Sequence, residues 1–147
     1  MGAERTFPAM TELVPHGLPM LALDELLDWK PGHARARLVV SADSLFSRDG
    51  KIETTVALEY MAQTVAACLG MESRTGGTGV RVGMVIACRQ MTIERPYLVV
   101  GEELVLEANM VHGSDYSSSF KTETRGADGE LVAKATMMLV HGEKPPE

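Results

Sequence analysis

The sequence predicts an α+β domain in which one antiparallel sheet wraps a single long helix. Residues 54–71 form a stretch without proline that is rich in helix-forming Ala, Leu, Met, Gln and Glu. Apolar residues lie nearly all the way round this helix, which is typical of burial on most sides. Runs typical of strands stand on both sides of it, two before and four after. A sheet is therefore expected to cover the helix.

The central helix has recognisable ends. Thr54 or Thr55 can cap its first N–H groups, and Gly70 lies where a helix often stops. The stretch is too short to cross a bilayer, which needs ~20 apolar residues. We therefore expect it to form the core of a folded domain.

The strands follow from alternation and from turn residues. Residues 20–29 and 33–40 flank Pro31-Gly32 and predict a hairpin. Residues 41–51 are polar, carry the turn pair Asp49-Gly50, and predict a loop. After the helix, four further strands are predicted at 80–93, 102–111, 117–124 and 131–140. Residues 1–12 are expected to be irregular or a short helix, residues 73–79 a flexible linker, and residues 142–147 a frayed tail.

Length and composition restrict the function. The chain of 147 residues suits one domain, residues 1–147, with a core at about 13–141. A net charge of −6 argues against nucleic-acid binding. No apolar run is long enough to span a membrane, and the N-terminus lacks a signal-peptide core. Cys68 and Cys88 lie in apolar stretches and are expected to be small buried hydrophobes, not a disulfide or metal ligands. A reducing, cytoplasmic location is therefore expected.

Glu59 is the single charge in the first four turns of the helix. Gln63 lies four residues on, on the same face, and Ala66 and Gly70 continue that face with almost no side chain. Burial favours the protonated acid, whereas the positive end of the helix favours the carboxylate. A glutamate that reaches solvent or pairs with an arginine is the plainer alternative. We favour an acid–base carboxyl in a dry pocket.

Several motifs occur in a fixed order along the chain. Val14-Pro15-His16 leads into Pro19–Asp24, and the helix carries Glu59-Tyr60-Met61-Ala62-Gln63. Further along come Glu94-Arg95-Pro96 and then Val-Val-Gly-Glu at 99–102. The last motif is Ala-Lys-Ala-Thr-Met-Met at 133–138. In this order they resemble the 3-hydroxyacyl-acyl carrier protein dehydratases of the hotdog fold. The resemblance implies that fold, an antiparallel sheet wrapped around one long central helix.

The loop before the helix departs from that family. In these dehydratases it carries His-Phe-Pro-Gly, whose histidine is the catalytic base, whereas residues 44–50 contain Phe46 and no histidine. This departure, with Pro15-His16 near the N-terminus, is similar to the dehydratases of aryl polyene clusters. His16 then becomes the candidate base, the alternative being a structural turn histidine. His33, His112 and His141 are expected to be surface residues.

The resemblance implies dehydration of 3-hydroxyacyl thioesters on acyl carrier protein to trans-2-enoyl thioesters, in fatty acid or aryl polyene biosynthesis. We assign His16 as base and Glu59 as acid, although the two roles can be exchanged. Gln63 is expected to position Glu59 or substrate. Phe46 and the helix-start N–H groups from about Val56 are expected to contact substrate. No metal and no cofactor is implied.

The expected partners are an acyl carrier protein with its phosphopantetheine arm and a second hotdog chain. That chain is a copy of this one or a different subunit, because an open sheet edge needs cover. The basic residues Arg74, Arg81, Arg89 and Arg95 are candidates for docking the acidic carrier protein. The alternative is that they only solvate a strand edge or pair with Glu94 and Glu102. Two other functions stay open: a hotdog acyl-thioesterase in which Glu59 activates water, and a non-catalytic partner subunit.

Overall fold

The computed structural model describes residues 6–14, 20–76, 82–114 and 117–142. Its helices are α1 (Met10–Leu13) and α2 (Ala57–Gly76), with a 3-10 turn at Thr54–Val56 before α2. Its strands are β1 (Glu25–Lys30), β2 (His33–Val39), β3 (Lys51–Glu53), β4 (Val82–Ile93), β5 (Tyr97–Val99), β6 (Glu103–Gly113), β7 (Ser117–Gly126) and β8 (Leu131–Gly142).

One six-stranded antiparallel sheet, in the order β1-β2-β6-β7-β8-β4, packs against α2. The core is formed by fully buried side chains of α2, such as Met61 and Val65, and of the sheet, such as Leu106, Phe120 and Met137. The sheet contributes these side chains from alternate positions of its strands, as the pleat requires. The predicted α+β fold with a central helix is confirmed.

The predicted ends of the central helix were both wrong. No side chain caps the 3-10 turn, and the Thr54 hydroxyl is buried without a hydrogen bond among the described residues. At the other end the helix continues past Gly70 to Gly76, so residues 73–76 are not a linker. A Cβ at Gly70 would lie 2.2 Å from the carbonyl oxygen of Leu13. The glycine is therefore explained by the close approach of the α1 segment, not by helix termination.

The six long strands were predicted, with shifted ends. β1 begins at Glu25, since residues 21–24 have no regular secondary structure. The start of the strand predicted from residue 80 lies outside the described residues. The short strands β3 and β5 were not predicted, and together they form a separate two-stranded sheet. Asp49-Gly50 is a turn as predicted, with φ of 52° and 76°.

Arg95 and Glu102 hold this small sheet against the end of β6. The guanidinium of Arg95 binds both carboxylate oxygens of Glu102, and its Nη1 also donates to the Tyr97 carbonyl at 3.3 Å. Glu102 accepts a further hydrogen bond from the Val99 N–H at 2.6 Å. Burial alone would raise the pKa of Glu102, but these hydrogen bonds from Arg95 and Val99 outweigh it and lower that pKa.

The two cysteines differ. Cys68 is buried in α2, where its carbonyl accepts a hydrogen bond from the Trp29 indole at 3.1 Å, and burial raises the pKa of its thiol to about 12. Cys88 is exposed, so the prediction of a buried residue was wrong there. The reason is that β4 is an edge strand, with β8 as its one neighbour in the described sheet. No helix in the described part of the chain is long and apolar enough to traverse a bilayer.

Candidate functional site

Glu59 lies in the first turn of α2 and lines a cleft of about 390 Å³. The cleft is bounded by the segment leading into β1, by the end of β2, and by the loop that precedes β3. Tyr60 and Phe46 line it together with Glu59. Glu59 is half-buried here, whereas its neighbour Tyr60 is almost completely covered.

Gln63 connects Glu59 to the chain that enters β1. Its Nε2 donates to Glu59 Oε1 at 3.2 Å and to the Met20 carbonyl at 2.8 Å, and its Oε1 accepts the Ala22 N–H at 2.9 Å. The reversed amide would place oxygen against the Met20 carbonyl and NH₂ against the Ala22 N–H, so the backbone dictates the orientation. Gln63 is 0% exposed. Its side chain therefore links Glu59 to the backbone before β1.

The loop at residues 41–50 is fastened to α2 through Ser44. The Ser44 hydroxyl accepts the Phe46 N–H at 3.2 Å, and the Ser44 side chain also hydrogen-bonds the Tyr60 phenol. Burial raises the pKa of Tyr60, and the contact with Ser44 only partly opposes that rise. Tyr60 therefore stays a neutral phenol near pH 7. The arrangement sets where Phe46 stands relative to Glu59.

Phe46 separates the Glu59 cleft from a second cavity. This groove measures about 520 Å³ and is lined by Phe46, Val56, Tyr97, Arg48 and Lys51, among others. Val56, predicted to contact substrate, thus lines the groove and not the Glu59 cleft. At the helix start, the Thr54 N–H is already bonded to the Pro96 carbonyl at 3.0 Å, so it is not available to an anion.

The histidines lie apart from Glu59 or outside the described residues. His16, the candidate base, lies outside them. The Nδ1–H of His33 donates to Asn109 Oδ1 at 2.8 Å, and its Nε2 lies 3.8 Å from Asp28, in a polar cluster at the β1–β2 turn. His112 is exposed on β6, and the side chain of His141 is not described. No group of three or more His, Cys, Asp or Glu suited to a metal ion occurs in the described ranges.

The arginines predicted to dock a carrier protein have different surroundings where the structure describes them. Arg95 is bound to Glu102, the alternative predicted for it. Arg74 Nη1 lies 4.0 Å from Glu12, Arg89 is exposed on β4, and Arg81 lies outside the described residues.

Sequence and structure comparisons place this arrangement in a family. Residues 8–146 match the ApeP-like family, described as ApeP dehydratase. The chain belongs to the ApeP-like dehydratase family. The resemblance to hotdog dehydratases of the aryl polyene type, predicted from the motifs, is thereby confirmed.

Solved structures share the fold of this ApeP-like chain. The dehydratase heterocomplex ApeI:P from Xenorhabdus doucetiae superposes with a TM-score of 0.87 at 20% identity, covering 95% of this chain and 94% of that one. A hypothetical thioesterase with coenzyme A from Streptococcus pneumoniae TIGR4 gives 0.65 at 14% identity, covering 83% and 88%. AziG from S. sahachiroi gives 0.65 at 22% identity, covering 83% and 92%. A search of curated proteins found no match.

Two features of the site were not predicted. The sequence signal for Tyr60 was present, because Tyr60 stands directly after Glu59 in the motif Glu-Tyr-Met-Ala-Gln. The groove gave no comparable signal, since it depends on the pairing of β3 with β5.

Proposed function

We propose that this ApeP-like protein dehydrates 3-hydroxyacyl thioesters carried on acyl carrier protein to trans-2-enoyl thioesters, in fatty acid or aryl polyene biosynthesis in the cytoplasm. The observation that carries the proposal is the fixing of Glu59 at the edge of a 390 Å³ cleft by the buried amide of Gln63. A catalytic carboxyl needs such a fixed position, because acid–base transfer depends on geometry before acidity.

The reaction needs two proton transfers. A base removes the proton at C2, the C2–C3 double bond forms, the C3–O bond breaks, and an acid protonates the departing oxygen to give water. We assign the acid to Glu59 and the base to His16, whose neutral imidazole suits proton abstraction near pH 7. His16 precedes Met20 by four residues, a stretch that spans at most ~14 Å. Because Met20 is bonded to Gln63, this length permits His16 to reach Glu59.

The remaining site residues receive supporting roles. Negative charge gathers on the thioester oxygen as the C2 proton leaves, and N–H groups at the start of α2, near Val56, favour such charge. Phe46 packs against the acyl chain, because it lines the cleft and is 41% exposed.

We further propose that a second hotdog chain covers the open edge of the sheet. Support comes from the exposed β4 strand and from the similarity to ApeI:P, itself a heterocomplex. The loop at 41–50 lacks a histidine, which favours one alternative: a non-catalytic subunit whose partner supplies the chemistry.

The test is to incubate the protein, alone and with a co-purified hotdog partner, with a 3-hydroxyacyl carrier protein and to identify the product by mass spectrometry. A trans-2-enoyl thioester supports dehydration, a released thiol indicates a thioesterase, and no product indicates a non-catalytic subunit. Glu59→Gln and His16→Ala should each lower turnover roughly 10²–10⁴-fold. Glu94→Gln, an exposed site away from both cavities, is the matched control. Full turnover by Glu59→Gln would exclude the assigned acid.

A further inference from the structure

We propose that the groove beside Phe46 binds the phosphate end of the pantetheine arm, while the Glu59 cleft holds the thioester. The proposal rests on the proposed function for its class of ligand. It goes further by assigning the phosphate to Arg48 and Lys51, neither of which was considered for docking from the sequence.

The charge of the Glu59 cleft makes it unsuitable for a phosphate. Its charged lining residues, in the described part of the chain, are Asp24, Asp43 and Glu59, and all are acidic. Asp24 is held in place by the Val39 N–H at 2.7 Å. A phosphate in this cleft would be repelled by the three carboxylates, and the repulsion is stronger where water is partly excluded. An acyl thioester is uncharged and meets no such repulsion, so the phosphate of the arm must lie elsewhere.

The groove contains two cations held side by side. The Arg48 N–H donates to the Lys51 carbonyl at 2.8 Å and the Lys51 N–H to the Arg48 carbonyl at 3.0 Å, across the Asp49-Gly50 turn. Directly opposite residues of an antiparallel pair project to the same face, so the two side chains are neighbours. Lys51 Nζ stands 5.1 Å from the centre of the Tyr97 ring.

The cations are available to a ligand. Asp49 and Glu53 also line the groove, but among the described residues neither lies within ion-pair distance of Arg48 or Lys51. A guanidinium and an ammonium on one face can bind different oxygens of the same phosphate.

The groove and the cleft lie on either side of Phe46, which lines both. Val56 ends the 3-10 turn that leads directly into α2, and it stands three residues before Glu59, about one turn away. An arm bound at Arg48 and Lys51 can therefore pass over Phe46 and bring its thioester to Glu59.

The test compares 3-hydroxyacyl phosphopantetheine with 3-hydroxyacyl pantetheine, which lacks the phosphate, on the full chain in the assembly in which it purifies. Wild type should prefer the phosphorylated substrate in kcat/KM. In the double variant Arg48→Gln/Lys51→Gln, the ratio of kcat/KM for the phosphorylated over the unphosphorylated substrate should fall roughly tenfold. That factor corresponds to the loss of about one charge-assisted hydrogen bond. The loss should appear in KM, because the phosphate is remote from the reacting carbons. Lys121→Gln/Lys134→Gln, two exposed cations on β7 and β8, should keep the wild-type preference.

A binding measurement separates this proposal from the proposed function. Calorimetry with phosphopantetheine and with pantetheine needs no turnover, and only wild type and the Lys121/Lys134 control should prefer the phosphate. If the protein binds phosphopantetheine more tightly than pantetheine but forms no enoyl product, the dehydration is refuted and the groove assignment is kept. If the protein forms enoyl product but does not prefer phosphopantetheine, the groove assignment is overturned. The same holds if Arg48→Gln/Lys51→Gln keeps the wild-type preference.

Discussion

Replacing Gln63 by leucine should destabilise the fold, because this one side chain joins α2 to the segment before β1. Gln63→Leu keeps the volume but removes the hydrogen bonds to Glu59, Met20 and Ala22. The Met20 carbonyl and the Ala22 N–H lose their partners in a part-buried position, where each unpaired group costs about 1–3 kcal/mol. The apolar leucine offsets part of this cost, so we expect a net loss of about 3 kcal/mol in the free energy of unfolding. For a chain of this size that corresponds to a fall in Tm of roughly 10 °C.

Urea denaturation followed by circular dichroism measures the change, with an unaltered slope as the check that both states stay comparable. Thr64→Val is the matched control, because Thr64 is also fully buried in α2. Among the described residues its hydroxyl bonds only the Tyr60 carbonyl of its own helix, at 3.0 Å. That control should cost less than about 1 kcal/mol. If Gln63→Leu and Thr64→Val change the free energy of unfolding by the same amount within error, the three hydrogen bonds do not hold the segment before β1 to the helix.

Three further predictions follow from contacts outside the cleft. Gly70→Ala should lower the free energy of unfolding by about 2 kcal/mol, although alanine favours helix by ~1 kcal/mol, because its Cβ would overlap the Leu13 carbonyl; a stability equal to wild type in urea contradicts this. Because the folded pKa of Glu102 is lowered, its ion pair with Arg95 stabilises the fold above the unfolded pKa of about 4.3 and loses that effect as pH falls through the folded value. Wild type should therefore be more stable than Glu102→Gln at pH 7 by about 1–2 kcal/mol. The difference between the urea midpoints should shrink steadily as the pH is lowered below the unfolded pKa of about 4.3, and a difference that does not change with pH refutes the linkage. Iodoacetamide at pH 8 should leave Cys68 unmodified in the native chain and modify it in denaturant, since burial raises its pKa to about 12; a modified Cys68 peptide from native protein would count against the packing of α2.

Long elements with strong periodicity could be predicted from the sequence. The i, i+4 spacing of Glu59 and Gln63 requires only a helix, so their contact could be anticipated before any tertiary structure was known. The three-residue strands β3 and β5 carry no measurable alternation, and only their pairing defines them. Gly70 was misread because its role comes from the Leu13 carbonyl, which is distant in sequence.

The same limit applies to exposure and to the groove. Whether a strand residue such as Cys88 is covered depends on the place of its strand in the sheet, which the strand's own pattern does not specify. In the sequence, Arg48 and Lys51 are ordinary charges of a polar loop. Only the backbone pairing across the Asp49-Gly50 turn brings their side chains together.

The shape of β4 has a consequence for how another strand can join this sheet. Its pairing with β8 shifts register between Val85 and Ala87 and again between Arg89 and Thr92, and Gln90 has a positive φ of 56°. Irregularities of this kind bend and twist an edge strand. The regular backbone is thereby divided into runs no longer than Val82–Val85. A partner strand that slides along the edge meets a mismatch after a few residues, so only a strand with complementary bends can pair over the full length. Such an edge selects its neighbour by shape and resists the repeated, open-ended stacking that leads to fibrils.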